Sequence, residues 1–245
     1  MVYLNRWKRT LTWPLARGMR AVVVASRRLL TGPVAALGPV LVVVEGRNDI
    51  HFLRRIAAIL HADNPSLPDL IEAERRLDLL FVRSGGGDSS WTFQLAGLKL
   101  PEFHLLDRET PPVTQSRQQL AAMLNSRPQC RAAVTSKRSL ENYLHSSAVF
   151  EASGIAVEVS DEEDVPELVA RSAHQSQHVG TPWEQLTTRC RRRLRYQAKR
   201  WLNTRAVERM TPERLVERDP NGEVRSWLET IGMLIGFRSA GNAGG

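Results

Sequence analysis

Residues 39–49 read PVLVVVEGRND, and this stretch decides the fold. The run Pro39–Val44 is apolar and rich in β-branched residues, as in a strand that is buried on both faces. An acid and a glycine follow at once, and apolar residues then recur at helical spacing from Asp49 to Leu60. The stretch therefore predicts a buried strand that ends on an acid and leads directly into a helix.

The same alternation continues along the chain. Further apolar runs predict three more strands at Leu77–Val82, Phe103–Leu106 and Cys130–Val134, with helical segments between them at Trp91–Leu98 and Val113–Leu124. Strands that alternate with helices favour a parallel sheet with helices on its faces. We therefore expect an α/β fold, a Rossmann-like four-stranded parallel sheet flanked by helices, over residues 38–150.

Three other regions surround this predicted domain. Residues 151–238 are mostly helical and basic in pattern, and residues 239–245 are small and predicted to be disordered. Residues 1–37 form a basic extension in which arginines interrupt every apolar run, so neither a signal peptide nor a membrane span is expected. Three interpretations of this extension stay open: a basic amphipathic arm for DNA or membrane, a disordered extension, or residues added by an upstream start codon.

The charge balance favours a polyanionic partner. The chain has 34 Lys and Arg against 26 Asp and Glu, which predicts binding to nucleic acid or to an anionic membrane surface. A basic protein with no such partner is the alternative. The two cysteines, Cys130 and Cys190, have no metal-binding spacing and no disulfide framework, as expected in a reducing cytoplasm.

Acids stand at the ends of two predicted strands. Glu45 follows the first strand, with Asp49 one helical turn later, and Asp107 and Glu109 follow the third strand. If these strands are neighbours, the four acids meet at one edge of the sheet. Carboxylates in one cleft repel each other unless a cation neutralises them, and oxygen ligands without His or Cys select Mg²⁺ or Mn²⁺.

Helix capping is the alternative explanation of these acids. Glu45 and Asp49 stand at the start of the first helix, where an acid stabilises the helix dipole by about 0.3–1 kcal/mol. Asp107 can cap a later helix in the same way. The joint occurrence of the acids at two specific strand ends favours the metal site.

At these positions the chain resembles the TOPRIM domain. Residues 42–49 (VVVEGRND) look like its first motif, and residues 105–109 (LLDRE) look like its second, which usually reads Asp-x-Asp. The branch found in OLD-family (overcoming lysogenization defect) nucleases is most similar, since it has a second acid like Asp49. It also has a glycine turn like residues 85–87, and an acid in a segment like residues 137–144 (KRSLENYL). The resemblance covers roughly residues 38–150.

The resemblance implies magnesium chemistry on nucleic-acid phosphodiester bonds. Glu45 would be a metal ligand or general acid-base, Asp107 and Glu109 would be metal ligands, and Asp49 and Glu141 further ligands. Glu109 departs from the family pattern, because glutamate is one methylene longer than the usual aspartate. OLD nucleases usually also have an ATPase domain, and no Gly-x-x-x-x-Gly-Lys-Ser/Thr loop occurs here, so ATP hydrolysis by this chain is not expected. An ATPase partner in trans stays open.

A second candidate is the basic segment 189–201, with seven basic residues in thirteen and no acid. Such a helix can hold backbone phosphates with little sequence preference, and Tyr196 and Trp201 can stack on unpaired bases. The nucleic-acid-binding candidates are Arg191, Arg192, Arg193, Arg195, Lys199 and Arg200, and Lys199 is also a candidate for charge stabilisation near the metals. The alternative is a solvated helix whose apolar stripe, Leu194, Ala198, Trp201 and Leu202, packs on the core.

Together these features predict a cytoplasmic, Mg²⁺-dependent endonuclease or related phosphoryl-transfer enzyme, with DNA as the expected partner and no stable membrane insertion. Tyr143 follows Glu141 closely but is expected to pack, which disfavours strand passage. The alternative function is a non-catalytic TOPRIM-fold module that binds nucleic acid or protein in a phage-defence or mobile-element system.

Overall fold

A four-stranded parallel sheet organises the chain in the computed structural model, which describes residues 38–85, 90–176 and 181–242. The strands are β1 (Val40–Val44), β2 (Leu79–Arg83), β3 (Glu102–Leu106) and β4 (Cys130–Val134). Their order in the sheet is β2-β1-β3-β4, and every pair is parallel. Each strand overlaps the apolar run that predicts it, so the α/β class is confirmed.

The central pair of strands, β1 and β3, sets the position of the acids. Leu41 pairs with Glu102, and Val43 pairs with His104. Since the two strands are parallel neighbours, their carboxyl ends lie at the same edge of the sheet. Glu45 and Asp107, the first residues beyond these strands, therefore start from adjacent positions.

Helices cover the sheet and form the rest of the chain. The α-helices are α1 (Arg47–Asp63), α2 (Leu70–Arg75), α3 (Val113–Asn125), α4 (Ser146–Ser153), α5 (Val165–Gln175), α6 (Thr188–Trp201), α7 (Pro212–Arg218) and α8 (Glu223–Asn242). A 3₁₀-helix spans Ser90–Leu98, another spans Leu140–Tyr143, and a π-helix, Leu202–Ala206, continues α6. The predicted helices near residues 49–60, 113–124 and 187–201 are confirmed with slightly different ends.

One hydrophobic core joins the sheet to the helices that follow it. Val42 and Phe103 of the sheet share this core with Leu202, Trp227 and Ile231. The predicted domain boundary at residue 150 falls inside α4, and buried residues from both sides of it belong to the same core. The apolar stripe of α6 also packs here, with Ala198 buried and Leu194 partly buried, which is the packing that the alternative interpretation of the basic segment expects.

The last helix is longer than the sequence indicates. Composition predicts disorder from residue 239; in the structure α8, on which Leu234 is buried, ends at Asn242. The predictions for residues 1–37, for Gly86 and Gly87, and for residues 243–245 lie outside the described residues. Within the described ranges, no helix combines the length and apolar composition needed to span a bilayer.

Candidate metal centre

Three of the predicted acids converge at the carboxyl edge of the sheet. Oxygen atoms of Glu45, Asp107 and Glu109 all lie within 4.8 Å of one another. Asp107 is buried, and the other two side chains are partly buried. The edge where β1 and β3 end therefore brings together the acids of both sequence motifs, which is the arrangement that the metal-site hypothesis requires.

The backbone holds Asp107 and Glu109 in unusual environments. Oδ1 of Asp107 accepts a hydrogen bond from the Leu140 backbone N–H at 3.2 Å, whereas its buried Oδ2 has no hydrogen-bond partner among the described residues. Glu109 has a φ of 57°, in the left-handed region that a residue with a Cβ seldom adopts. Its N–H donates to the carbonyl of Arg138 at 2.9 Å. This bond holds the strained residue beside Asp107, and strain of this kind concentrates at functional sites.

Asp49 both caps a helix and faces the cluster. Its Oδ2 accepts a hydrogen bond from the Gly46 N–H at 2.7 Å, so the capping explanation is correct for this residue. The side chain is nevertheless buried, and its other oxygen lies 3.9 Å from Nζ of Lys199. Capping and membership of the acid cluster are therefore compatible. Asp107, in contrast, does not cap α3, whose N-cap is Pro112.

Glu141 enters the cluster from the 3₁₀-helix that follows β4. Its side chain is fully buried, and its Oε2 accepts a hydrogen bond from the Ser139 hydroxyl at 2.9 Å. Its Oε1 accepts a hydrogen bond from the amide of Asn203 in the π-helix. The same amide donates to the carbonyl of Lys199 at 2.8 Å, so one side chain fixes both the acid and the turn that carries the lysine.

The ammonium group of Lys199 lies among three of the acids. Its Nζ is 3.5 Å from Oε1 of Glu141 and 3.9 Å from carboxylate oxygens of both Asp107 and Asp49. Burial lowers the pKa of Lys199, but the three carboxylates outweigh this effect and raise it above its usual value. The lysine therefore carries its charge at neutral pH and balances part of the negative charge of the cluster.

The acids themselves resist ionisation. Burial raises the pKa of Glu45, opposed by the nearby Arg117, and burial raises the pKa of Asp49 to about 6, opposed by Lys199. Burial, together with the neighbouring acids, raises the pKa of Asp107 well above its usual value. Clusters of groups shifted in this way are frequent at functional sites.

Two arginines at this edge are not among the site residues predicted from the sequence. A guanidinium nitrogen of Arg117, on α3, bonds Oε1 of Glu45, and Nε of Arg138 lies 3.9 Å from Glu109. Arg138 lies within residues 137–144, but the resemblance assigns it no role, and Arg117 lies on α3 at a position that no motif marks. Arg117 and Arg138 give the cluster a basic border. Asn203, which orients Glu141, is likewise missing from the sequence-based set.

The basic helix α6 divides into two groups of residues. Arg192, Arg193 and Arg200 are exposed, and the side chain of Tyr196 is 63% exposed. Arg195 bonds Asp164 at 2.7 Å, and Lys199 belongs to the acid cluster. Arg191 is partly buried, and Trp201 packs against the core, which leaves Tyr196 as the aromatic side chain available for stacking.

Comparison with known proteins gives one structural match. No protein-family model and no curated protein matches the chain. Among solved structures, the chain is similar to the C-terminal region of the OLD protein of Xanthomonas campestris pv. campestris. The TM-score is 0.47 and the sequence identity 16%, and the match covers 82% of this chain and 97% of the other.

Proposed function

We propose that this protein is a Mg²⁺-dependent nuclease, of the OLD-like TOPRIM type that its motifs resemble, which cleaves phosphodiester bonds of DNA. The observation that carries the proposal is the convergence of Glu45, Asp107 and Glu109 at the carboxyl edge of the sheet, with oxygens within 4.8 Å of one another. Ligand and catalytic groups gather at this edge in parallel α/β sheets. Acids drawn from two separate strand ends are hard to explain by helix capping alone.

The side chains fit a divalent cation of the magnesium type. The donors are carboxylate oxygens, which Mg²⁺ and Mn²⁺ prefer, and no sulfur or imidazole belongs to this group. The buried Oδ2 of Asp107 lacks a hydrogen-bond partner among the described residues, and Nζ of Lys199 lies 3.9 Å from it, beyond hydrogen-bond distance. A bound cation or a proton would satisfy this acceptor. Glu45, Asp107 and Glu109 would hold the ion, with Asp49 and Glu141 as further ligands.

Each residue then has a distinct task. A bound Mg²⁺ supplies Lewis-acid stabilisation of charge on the attacking and leaving oxygens of a scissile phosphate. Glu45, whose pKa burial raises above its usual value, is the residue placed to act as a general acid-base beside the metal ligands. Lys199 keeps its positive charge at this pH and offers an N–H donor beside Asp107, where it can stabilise negative charge on a phosphate oxygen.

The exposed arginines of α6 supply the binding surface for the substrate. Arg192, Arg193 and Arg200 lie on the helix that carries Lys199, so nucleic acid held on this helix would reach the acid cluster. Contacts to backbone phosphates position a duplex without reading its sequence. We therefore expect weak sequence preference and strong salt dependence.

Cleavage assays with two variants test the proposal. Wild-type protein, incubated with plasmid and single-stranded DNA, should cleave with Mg²⁺ or Mn²⁺ and not with a chelator. Glu45→Gln and Asp107→Asn keep the size of the side chain, and both should abolish cleavage while the protein stays folded. Glu213→Gln and Asp63→Asn, at exposed positions on α7 and α1, are the matched controls and should leave cleavage unchanged.

The alternative function is a module that keeps the fold and binds nucleic acid or a partner protein without cleaving. The exposed arginines of α6 favour nucleic acid as its ligand. The same assays separate the two functions, because a binding module would retain its affinity in both variants and cleave nothing in any metal. Persistent, metal-dependent cleavage by Glu45→Gln and Asp107→Asn would contradict the nuclease centre itself.

A further inference from the structure

A second group of potential metal ligands lies at the opposite end of β3. Glu102 and His104 belong to β3, Cys130 begins β4, and all three side chains are buried. One ligand atom from each lies within 4.8 Å of the other two. We propose that these residues bind Zn²⁺, or a similar cation with affinity for sulfur, at a site separate from the acidic edge.

The strands themselves create this convergence. Glu102 and His104 are two residues apart on one strand, so their side chains point to the same face of the sheet. Cys130 is the register partner of Glu102 on the adjacent strand. Nε2 of His104 lies 2.7 Å from Oε2 of Glu102, and Sγ of Cys130 lies 3.9 Å from the same oxygen. A carboxylate oxygen, an imidazole nitrogen and a sulfur therefore surround one small volume.

The imidazole of His104 is hydrogen-bonded to Glu102 when no metal is bound. The hydrogen bond made by one ring nitrogen usually fixes which nitrogen carries the proton. Nε2 of His104 donates a hydrogen bond to Oε2 of Glu102 at 2.7 Å, and Nδ1 is buried without a hydrogen-bond partner among the described residues. A cation that replaces the proton between Nε2 and Oε2 of Glu102 would be bound by both atoms, and the ring proton would move to Nδ1.

Arg127 completes the surroundings of the carboxylate. Its guanidinium bonds Oε1 of Glu102, so Oε2 is the oxygen that faces His104 and Cys130. Partners that hold the outer oxygen of a ligand in this way orient it towards a metal. Burial, reinforced by Glu102, raises the pKa of the Cys130 thiol to about 11, so the sulfur keeps its proton until a metal displaces it.

The ligand types select a different metal from the acidic edge. Mixed oxygen, nitrogen and sulfur donors favour Zn²⁺ over Mg²⁺, whereas carboxylates alone favour Mg²⁺. Glu102 and Asp107 stand at opposite ends of β3, roughly 16 Å apart along an extended strand. A bound ion would link β3 to β4 inside the protein, where no substrate reaches it, so we assign the site a stabilising role rather than a catalytic one.

Titration with Co²⁺ tests this site directly. The full chain, reduced and stripped of metal, should develop thiolate-to-cobalt charge-transfer absorption that saturates at one ion per chain. Cys130→Ser should lose this absorption, and His104→Gln should weaken the affinity at least about tenfold. Cys190→Ser is the matched control, since Cys190 lies on α6, and it should keep the full signal. Glu45→Gln and Asp107→Asn should also keep it, which separates this site from the nuclease proposal.

Measurements on wild-type protein test the proposed zinc site even if a variant fails to fold. X-ray absorption of the Zn²⁺-loaded chain should show one sulfur together with nitrogen or oxygen ligands, and Zn²⁺ should raise the melting temperature. Absence of the charge-transfer band in wild-type protein, its loss in Cys190→Ser instead, or a zinc shell without sulfur would each overturn the proposal.

Discussion

Nζ of Lys199 lies 3.5 Å from Oε1 of Glu141, although the lysine comes from α6 and the glutamate from the 3₁₀-helix after β4. The same nitrogen is 3.9 Å from Asp107 at the end of β3 and from Asp49 in α1. One ammonium group thus connects four separate elements. The contribution of Lys199 to the unfolding free energy can therefore be measured with a substitution at this position.

Replacing Lys199 with methionine should destabilise the metal-free protein. Removal of the cation leaves buried acids without a partner, which costs about 3 kcal/mol or more in unfolding free energy. Urea denaturation in chelator at neutral pH measures the loss. Added Mg²⁺ should recover part of it, because the ion takes over the neutralisation of the acids.

Arg193→Met is the control for that experiment, since Arg193 is an exposed cation on the same helix. Its unfolding free energy should stay within about 0.5 kcal/mol of wild type. Equal stability of Lys199→Met and wild type in chelator would contradict the role of Lys199 in balancing the acids.

Asn203→Leu tests whether Asn203 positions Glu141 for cleavage without contributing to DNA binding. Asn203 is fully buried, and its amide donates to both Glu141 and the Lys199 carbonyl. The substitution leaves these acceptors unsatisfied, at a cost of about 1–3 kcal/mol in unfolding free energy. We expect a lower kcat for DNA cleavage with unchanged DNA affinity, because Glu141 loses its orientation while the surface arginines remain. Asn125→Leu, at an exposed site that also makes two backbone hydrogen bonds, should retain kcat.

Asp49 should make stability depend on pH. Burial raises its pKa from 3.8 to about 6, so the folded protein binds this proton more tightly than the unfolded chain does. The resulting stabilisation is complete below about pH 4 and is lost as the pH rises through about 6. Asp49→Asn keeps an acceptor for the Gly46 N–H but has no proton to lose as the pH rises. In chelator at pH 8, its unfolding free energy should therefore exceed that of wild type by about 2–3 kcal/mol.

Urea denaturation of both proteins across this pH range measures the difference. At about pH 4 the two unfolding free energies should coincide, and saturating Mg²⁺ should reduce the difference at pH 8. An Asp49→Asn variant less stable than wild type at pH 8 in chelator would show that attraction to Lys199 outweighs burial.

The exposed arginines of α6 should govern the salt dependence of DNA binding. Arg192→Ala/Arg193→Ala should lower the slope of log affinity against log salt by about 0.9 for each phosphate of duplex DNA that the variant no longer neutralises. Arg75→Ala/Arg76→Ala removes the same charge from the region of α2 and should leave the slope unchanged. Equal slopes in the two double variants would place the binding surface elsewhere.

The sheet and its acidic edge were accessible from sequence because both depend on local patterns. Apolar runs identify β1 and β3, and Glu45 and Asp107 follow them directly. Their proximity needed one further assumption, that the two strands are neighbours, and the strand order confirms it. Sequence reasoning placed Lys199 both with the surface arginines and among the candidates for charge stabilisation near the metals.

Interactions between distant segments were not accessible in this way. Arg117 bonds Glu45 from its position on α3. Asn203 bonds Glu141 from a π-helix that no propensity pattern marks. His104 and Cys130 likewise belong to different strands, so their spacing along the chain differs from that of metal-binding motifs. Strand register, which a single sequence does not encode locally, brings these two residues together.

Lys199 and Asn203 follow β4 in the chain, which affects the order in which the acidic edge is completed during synthesis. A chain that has left the ribosome only as far as β4 carries the acids of both motifs but lacks the buried ammonium group and the amide beside it. The edge reaches its final charge balance only when α6 and the π-helix dock on it. Translation order thus delays completion of this edge until residues 188–206 have been made.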